Sequence, residues 1–135
     1  MLQFFFLSVL LNILGGAVLA SEFLETKFSF FGRVTEAFKE RANAKLVIGI
    51  LSVIVGIFKI LSVVQGDVKI VGDLLPALSG LLIGLGLMAE YYRTRTDVQT
   101  ETGINTMLDK YGHIFGSIAI LIGILHFLFP RVLFL

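Results

Sequence analysis

The sequence predicts an all-α integral membrane protein, with four transmembrane helices arranged as two similar hairpins of the same orientation and a short amphipathic helix on the cytoplasmic surface. Three observations carry this expectation. Hydrophobic residues make up 56% of the 135 residues and charged residues 16%, against about 25% charged in an ordinary soluble domain. The mean hydropathy of +0.93 is more than a water-soluble fold of this size can hide, and in lipid every backbone polar group must be satisfied internally. Finally, the apolar residues fall in long unbroken runs without period-2 alternation, which selects helices over a barrel. The runs lie at about 2–21, 46–64, 74–92 and 114–129, each near the ~20 residues that cross ~30 Å of hydrocarbon at 1.5 Å per residue. Residues 1–135 are thus expected to form one four-span membrane domain.

The first run contains Val18-Leu19-Ala20, which resembles a small-residue cleavage site, but Met1-Leu2-Gln3 lacks the basic start of a signal peptide, so the run reads as a retained span. The connection that follows holds Lys27, Arg33, Lys39, Arg41 and Lys45. Within it Phe31, Val34, Phe38 and Ala42 recur at spacings of 3, 4 and 4, opposite Arg33, Glu36, Lys39 and Glu40. That is the pattern of an amphipathic helix lying on a membrane surface. After the second run, residues 65–73 carry two Gly-Asp pairs and read as a tight turn. Asp73 is placed to cap the third helix, with Pro76 in its first turn, where a missing N–H costs nothing. Residues 93–112 are threonine-rich and read as a solvated loop, with Thr106 and Asp109 positioned to cap the last helix.

Basic residues concentrate in the first and third connections, so the positive-inside rule places these in the cytoplasm and both termini outside. The expected location is a bacterial or archaeal cytoplasmic membrane, since helical spans are not the architecture of an outer membrane.

Shifting the chain by 67 lays the second run on the fourth, matching Gly49, Gly56 and Ile57 with Gly116, Gly123 and Ile124, and Lys59 with His126. A shift of 68 lays the first on the third, matching Leu14, Gly16, Leu19 and Glu22 with Leu82, Gly84, Leu87 and Glu90. The recurrence of glycines and polar residues at matching depth predicts a tandem repeat. Because each unit has two spans, the pseudo-twofold axis would run along the membrane normal. Gly49, Ser52 and Gly56 lie on one helical face, Gly116, Ala119 and Gly123 repeat that stripe, and Gly80 and Gly84 form a GxxxG. Such faces predict close helix contacts, inside the bundle or between copies.

Chemistry-bearing residues are few. Lys59 and His126 each follow the last glycine of a stripe by three residues, so each lies on a packed face near the outer end of its span. Ionisable groups at such depth face a bundle interior or a wet cavity. With Asp73 they form a candidate polar or anion site; the simpler reading is a lysine that snorkels or pairs with Asp67 or Asp73 and a histidine bonded to a backbone carbonyl. Glu22 and Glu90 form a candidate cytoplasmic carboxylate pair, or mark two helix ends. Asp109, His113 and Ser117, at i, i+4 and i+8, have the residue types of a hydrolytic triad. A straight helix does not aim the serine at a substrate, and a first-turn cap, an interfacial histidine and a back-bonded serine account for all three.

No catalytic residue, cofactor or metal site is expected. The two histidines are 13 residues apart on one helix, about 20 Å, too far to share an ion. Net charge is +1 with both signs interspersed, which gives no footprint for nucleic acid. The expected partners are the lipid bilayer and other membrane subunits or copies of the chain, as an oligomer. The function expected is that of a non-enzymatic structural or accessory subunit of a membrane assembly. The alternative is a small oligomeric transporter or channel for an ion or small solute, using Lys59, His126, Glu22 and Glu90.

Overall fold

The computed structural model describes residues 2–61, 74–95 and 103–129. Among them are six helices and no strand: α1 (Leu2–Leu19), α2 (Ser21–Lys27), α3 (Phe30–Glu40), α4 (Ala42–Leu61), α5 (Leu74–Arg95) and α6 (Gly103–Leu128). The last three are long and apolar enough to cross a membrane, and α1 with α2 makes a fourth candidate crossing, broken by a 76° bend.

The bend has a packing cause. Ala20 is fully buried, and helical hydrogen bonds continue on both sides of it, from Ala20 N–H to Gly16 O and from Leu24 N–H to Ala20 O, both 2.9 Å. A Cβ on Gly116 would stand 2.8 Å from both the Cβ and the N of Ala20. The chain therefore turns into space that α6 leaves empty. The first apolar run accordingly ends as a straight helix at Leu19, and Ser21 opens α2.

The amphipathic segment forms α3, with Phe31, Val34 and Phe38 half-buried and Arg33, Glu36 and Lys39 exposed. Phe38 reaches the core. Phe28 and Phe30 stay outside it, 60% and 68% exposed.

Two expectations about the third connection are corrected. α5 continues to Arg95 and α6 already begins at Gly103, so much of the stretch read as loop is helical. Thr106 and Asp109 then lie inside α6 and cannot cap it. Arg93 joins the two extended ends: its guanidinium donates to both carboxylate oxygens of Asp109, at 2.7 and 3.2 Å, in a fork geometry. The turn at 65–73, with the capping role of Asp73, lies outside the described residues.

α4 packs along α5 and α1 along α6, with lesser contacts of α1 on α4 and α5 and of α5 on α6. The core consists of Val18, Leu19, Ile83, Leu87 and Ala119, flanked by Ile48 and Phe115. Large apolar side chains also cover the outside. Ile50, Ile54 and Ile57 on α4, and Leu78, Leu82 and Leu85 on α5, are exposed, as faces against lipid require.

Candidate functional site

The two main crossings are set by glycines. A Cβ on Gly16 would lie 2.6 Å from Gly116 O, and one on Gly116 2.6 Å from Gly16 O. On the other pair, a Cβ on Gly84 would lie 2.6 Å from Gly49 O, and one on Gly49 3.0 Å from Gly84 O. Toward the far ends of the same pairs, Gly56 faces Ala77 O at 3.0 Å and Gly123 faces Val9 O at 3.3 Å. Ser52 and Ala119, the middle members of the two stripes, are each 1% exposed. Both stripes thus close crossings within the chain. Gly80 is looser, with Ser52 O 3.5 Å from its would-be Cβ.

Above these crossings, α4 and α6 bring Lys59 and His126 together. Lys59 Nζ lies 2.7 Å from His126 Nε2, and the residues are 8% and 0% exposed. A hydrogen bond this short needs a lone pair on one nitrogen and a proton on the other, so the tautomer of the ring decides which donates. Phe5 of α1 completes the group: its ring centroid is 4.7 Å from that of His126 and 5.8 Å from Lys59 Nζ, within reach of a cation–π contact. Asp73, the third expected member, lies outside the described residues.

Midway along the bundle, Asn12 Nδ2 donates to Ser8 O at 2.9 Å and across to Pro76 O of α5 at 3.1 Å. Neither Asn12 Oδ1 nor Ser52 Oγ, both buried, has a hydrogen-bond partner among the described residues. Between this level and the opposite end lies the apolar core of Val18, Leu19, Ile83 and Leu87.

The opposite end is charged and open. A cavity of about 1200 Å³ lies there, bounded by α1, α2, α3 and the ends of α4, α5 and α6. Glu22 and Glu90 both line it. Each is answered by a lysine: Glu90 by Lys45 at 3.0 Å, with side chains 26% and 17% exposed, and Glu22 by Lys39 at 3.6 Å in solvent. They share a cavity without forming a paired site. Lys59 and His126 do not line it. The triad arrangement dissolves, because Asp109 is held by Arg93 and Ser117 Oγ donates to the carbonyl of His113 at 2.8 Å. Among the described residues no group of three or more potential ligands could hold a metal ion.

Sequence reasoning missed the Lys45–Glu90 and Arg93–Asp109 pairs and the cavity itself. A usable signal was present for the first. Antiparallel neighbours place the start of α4 beside the end of α5, where a lysine and a glutamate stand at matching depth.

Fold and site together describe an all-helical bundle suited to a membrane, with an apolar core and a charged end. A family model of unknown function matches residues 1–126, and the chain belongs to that family. No curated protein and no solved structure matches it.

Proposed function

We propose that the protein is a non-enzymatic accessory subunit of a membrane assembly, built as a four-span tandem repeat with its charged end in the cytoplasm and its termini outside. The observation that carries the reading is the closure of the bundle. The glycine stripes are used within the chain, the buried Lys59 and His126 bond each other, and an apolar layer separates them from the cavity. Among the described residues we find no built catalytic constellation and no polar path from end to end. What it offers other molecules is its lipid-facing surface and its charged end.

The tandem repeat is supported by the contacts themselves. Moving α1 onto α5 by 68 residues and α4 onto α6 by 67 turns the Gly16–Gly116 crossing into Gly84–Gly49, and the Val9–Gly123 crossing into Ala77–Gly56. The same operation exchanges the two principal helix pairs. It also exchanges Lys59 with His126, and residues that meet their own counterparts are the ones expected next to a twofold axis.

The cavity favours a second reading, a small-solute carrier observed with one end open. Reconstitution decides between the two. Vesicles containing the protein should leak protons and small ions no faster than empty vesicles, and the tagged protein should migrate with a fixed stoichiometric companion in mild detergent. Flux above the empty-vesicle rate, lost in Glu90→Gln, would overturn the accessory reading.

A further inference from the structure

The cavity at the charged end has chemistry that the accessory reading does not use. Its floor is apolar, from Val18, Leu19 and Leu108, and its rim is basic, from Lys39, Lys45, Arg93 and Lys110. Three carboxylates answer three of these cations. Among the described residues Lys110 stands outside those pairs, its Nζ 5.2 Å from the ring of Tyr111, and gives their part of the rim a net positive charge.

The pairs also leave donors over. Lys45 gives one N–H of an ammonium's three to Glu90, and Arg93 gives two of a guanidinium's five to Asp109. The Lys39–Glu22 contact, at 3.6 Å and in solvent, is too long for a hydrogen bond and readily opened. Ser21 lines the same cavity and is only 5% exposed.

Unused N–H groups, a buried hydroxyl and a positive rim form a complement to an anion with several acceptor oxygens. The apolar floor and the size decide what carries that anion. A volume of about 1200 Å³ is beyond the ~300–1,000 Å³ of ordinary small-molecule pockets and far beyond what a free phosphate fills. The charged residues at the ends of α4 and α5 also put the rim where lipid headgroups lie.

We infer that this cavity binds an anionic phosphate headgroup carried on a lipid. The phosphate oxygens accept from Lys39, Lys110, Arg93 and Ser21, and the first carbons of the tail rest on Val18, Leu19 and Leu108. The site exists whether or not the protein has a protein partner.

The test uses the full-length protein in a neutral detergent, with Tm and native mass spectrometry as readouts. Short-chain phosphatidylglycerol should raise Tm and remain bound, and phosphatidylcholine of the same chain length should not. In the double variant Lys39→Gln/Lys110→Gln, phosphatidylglycerol should bind roughly tenfold more weakly or worse, as loss of two interfacial cations implies. Ser21→Ala, which disturbs no ion pair, gives an independent loss if the double variant does not fold. Inorganic phosphate or glycerol phosphate reproducing the shift in wild type but not in the variants would keep the anion site and reassign its source to a free phosphate. Equal effects of the two lipids, or a phosphatidylglycerol effect unchanged in both variants, would overturn the inference.

Discussion

Gly84→Ala and Gly80→Ala are the same substitution one turn apart on α5, and the packing predicts opposite outcomes. At Gly84 the new Cβ would lie 2.6 Å from both Gly49 O and Val53 Cγ2, and 2.9 Å from Val53 N. Two of these are backbone atoms, which no rotamer change can move. To reach an ordinary contact of 3.4 Å, α4 and α5 must part by about 0.8 Å at their closest approach. Forced overpacking of this kind costs about 1–3 kcal/mol, and the separation also loosens the dispersion contacts that hold helices together in lipid. At Gly80 the nearest atoms are Ser52 O at 3.5 Å and Asn12 Nδ2 at 4.0 Å, so the methyl group fits. Both variants gain up to about 1 kcal/mol of intrinsic helix propensity. Gly80→Ala should therefore be neutral to stabilised by about 1 kcal/mol, and Gly84→Ala destabilised by about 0–2 kcal/mol, a separation of about 1–3 kcal/mol. Thermal unfolding of the two variants side by side in one detergent measures the separation and cancels the propensity term. A Gly84→Ala protein as stable as Gly80→Ala would refute the account of the α4–α5 crossing.

Three further outcomes follow from named contacts. Lys59→Met and His126→Leu should each destabilise, while the double variant should cost less than their sum. The coupling in a double-mutant cycle should fall within about 0.5–3 kcal/mol, and strict additivity would mean that the 2.7 Å contact contributes nothing. The part-exposed Lys45–Glu90 pair should couple by at most about 1 kcal/mol, and the charge swap Lys45→Glu/Glu90→Lys should recover most of what either single reversal loses in Tm. Asn12→Leu should cost only about 0.6 kcal/mol in detergent unfolding, the usual size of an interhelical polar contact in lipid. A loss of several kcal/mol there would show that Asn12 does more than bond Pro76 O.

Helix content and the apolar spans were legible because the bilayer imposes them residue by residue: an uninterrupted run such as 46–64 has few alternatives to a helix. The glycine stripes were legible as contact faces for a similar reason, although whether they closed inside or between chains was not. That choice depends on which helix lies opposite, and spacing along one helix carries no such information. The bend at Ala20 could not be read at all. Its cause is the absence of a side chain at Gly116, about a hundred residues away. The helical extensions to Arg95 and from Gly103 were hidden by threonines that favour loops locally, and the Arg93–Asp109 contact that joins them runs between two helices, where spacing along one segment does not show it. Lys59 and His126 were singled out one by one from their depth, and only the fold makes them neighbours.

The departures from the proposed repeat are complementary in volume, which bears on how such a duplication could persist. Asn12 corresponds to Gly80 under the 68-residue shift. The two stand together in the bundle, with the Asn12 amide 4.0 Å from the Cβ that Gly80 lacks. One unit supplies a polar side chain where the other supplies none, and the amide uses the opening to reach Pro76 O. Restoring symmetry with Gly80→Asn would ask one site to hold two amides, and Asn12→Gly would leave a hollow with a bare carbonyl in it. Lys59 and His126 follow the same logic. Two lysines meeting there would set two ammonium groups against each other in a buried position, at a cost of several kcal/mol, whereas an imidazole can offer a lone pair to its neighbour. Near a twofold axis identical residues must tolerate themselves, and a bulky amide or a buried cation does not. Divergence at those two positions is therefore what the proposed repeat needs and a symmetric dimer cannot have.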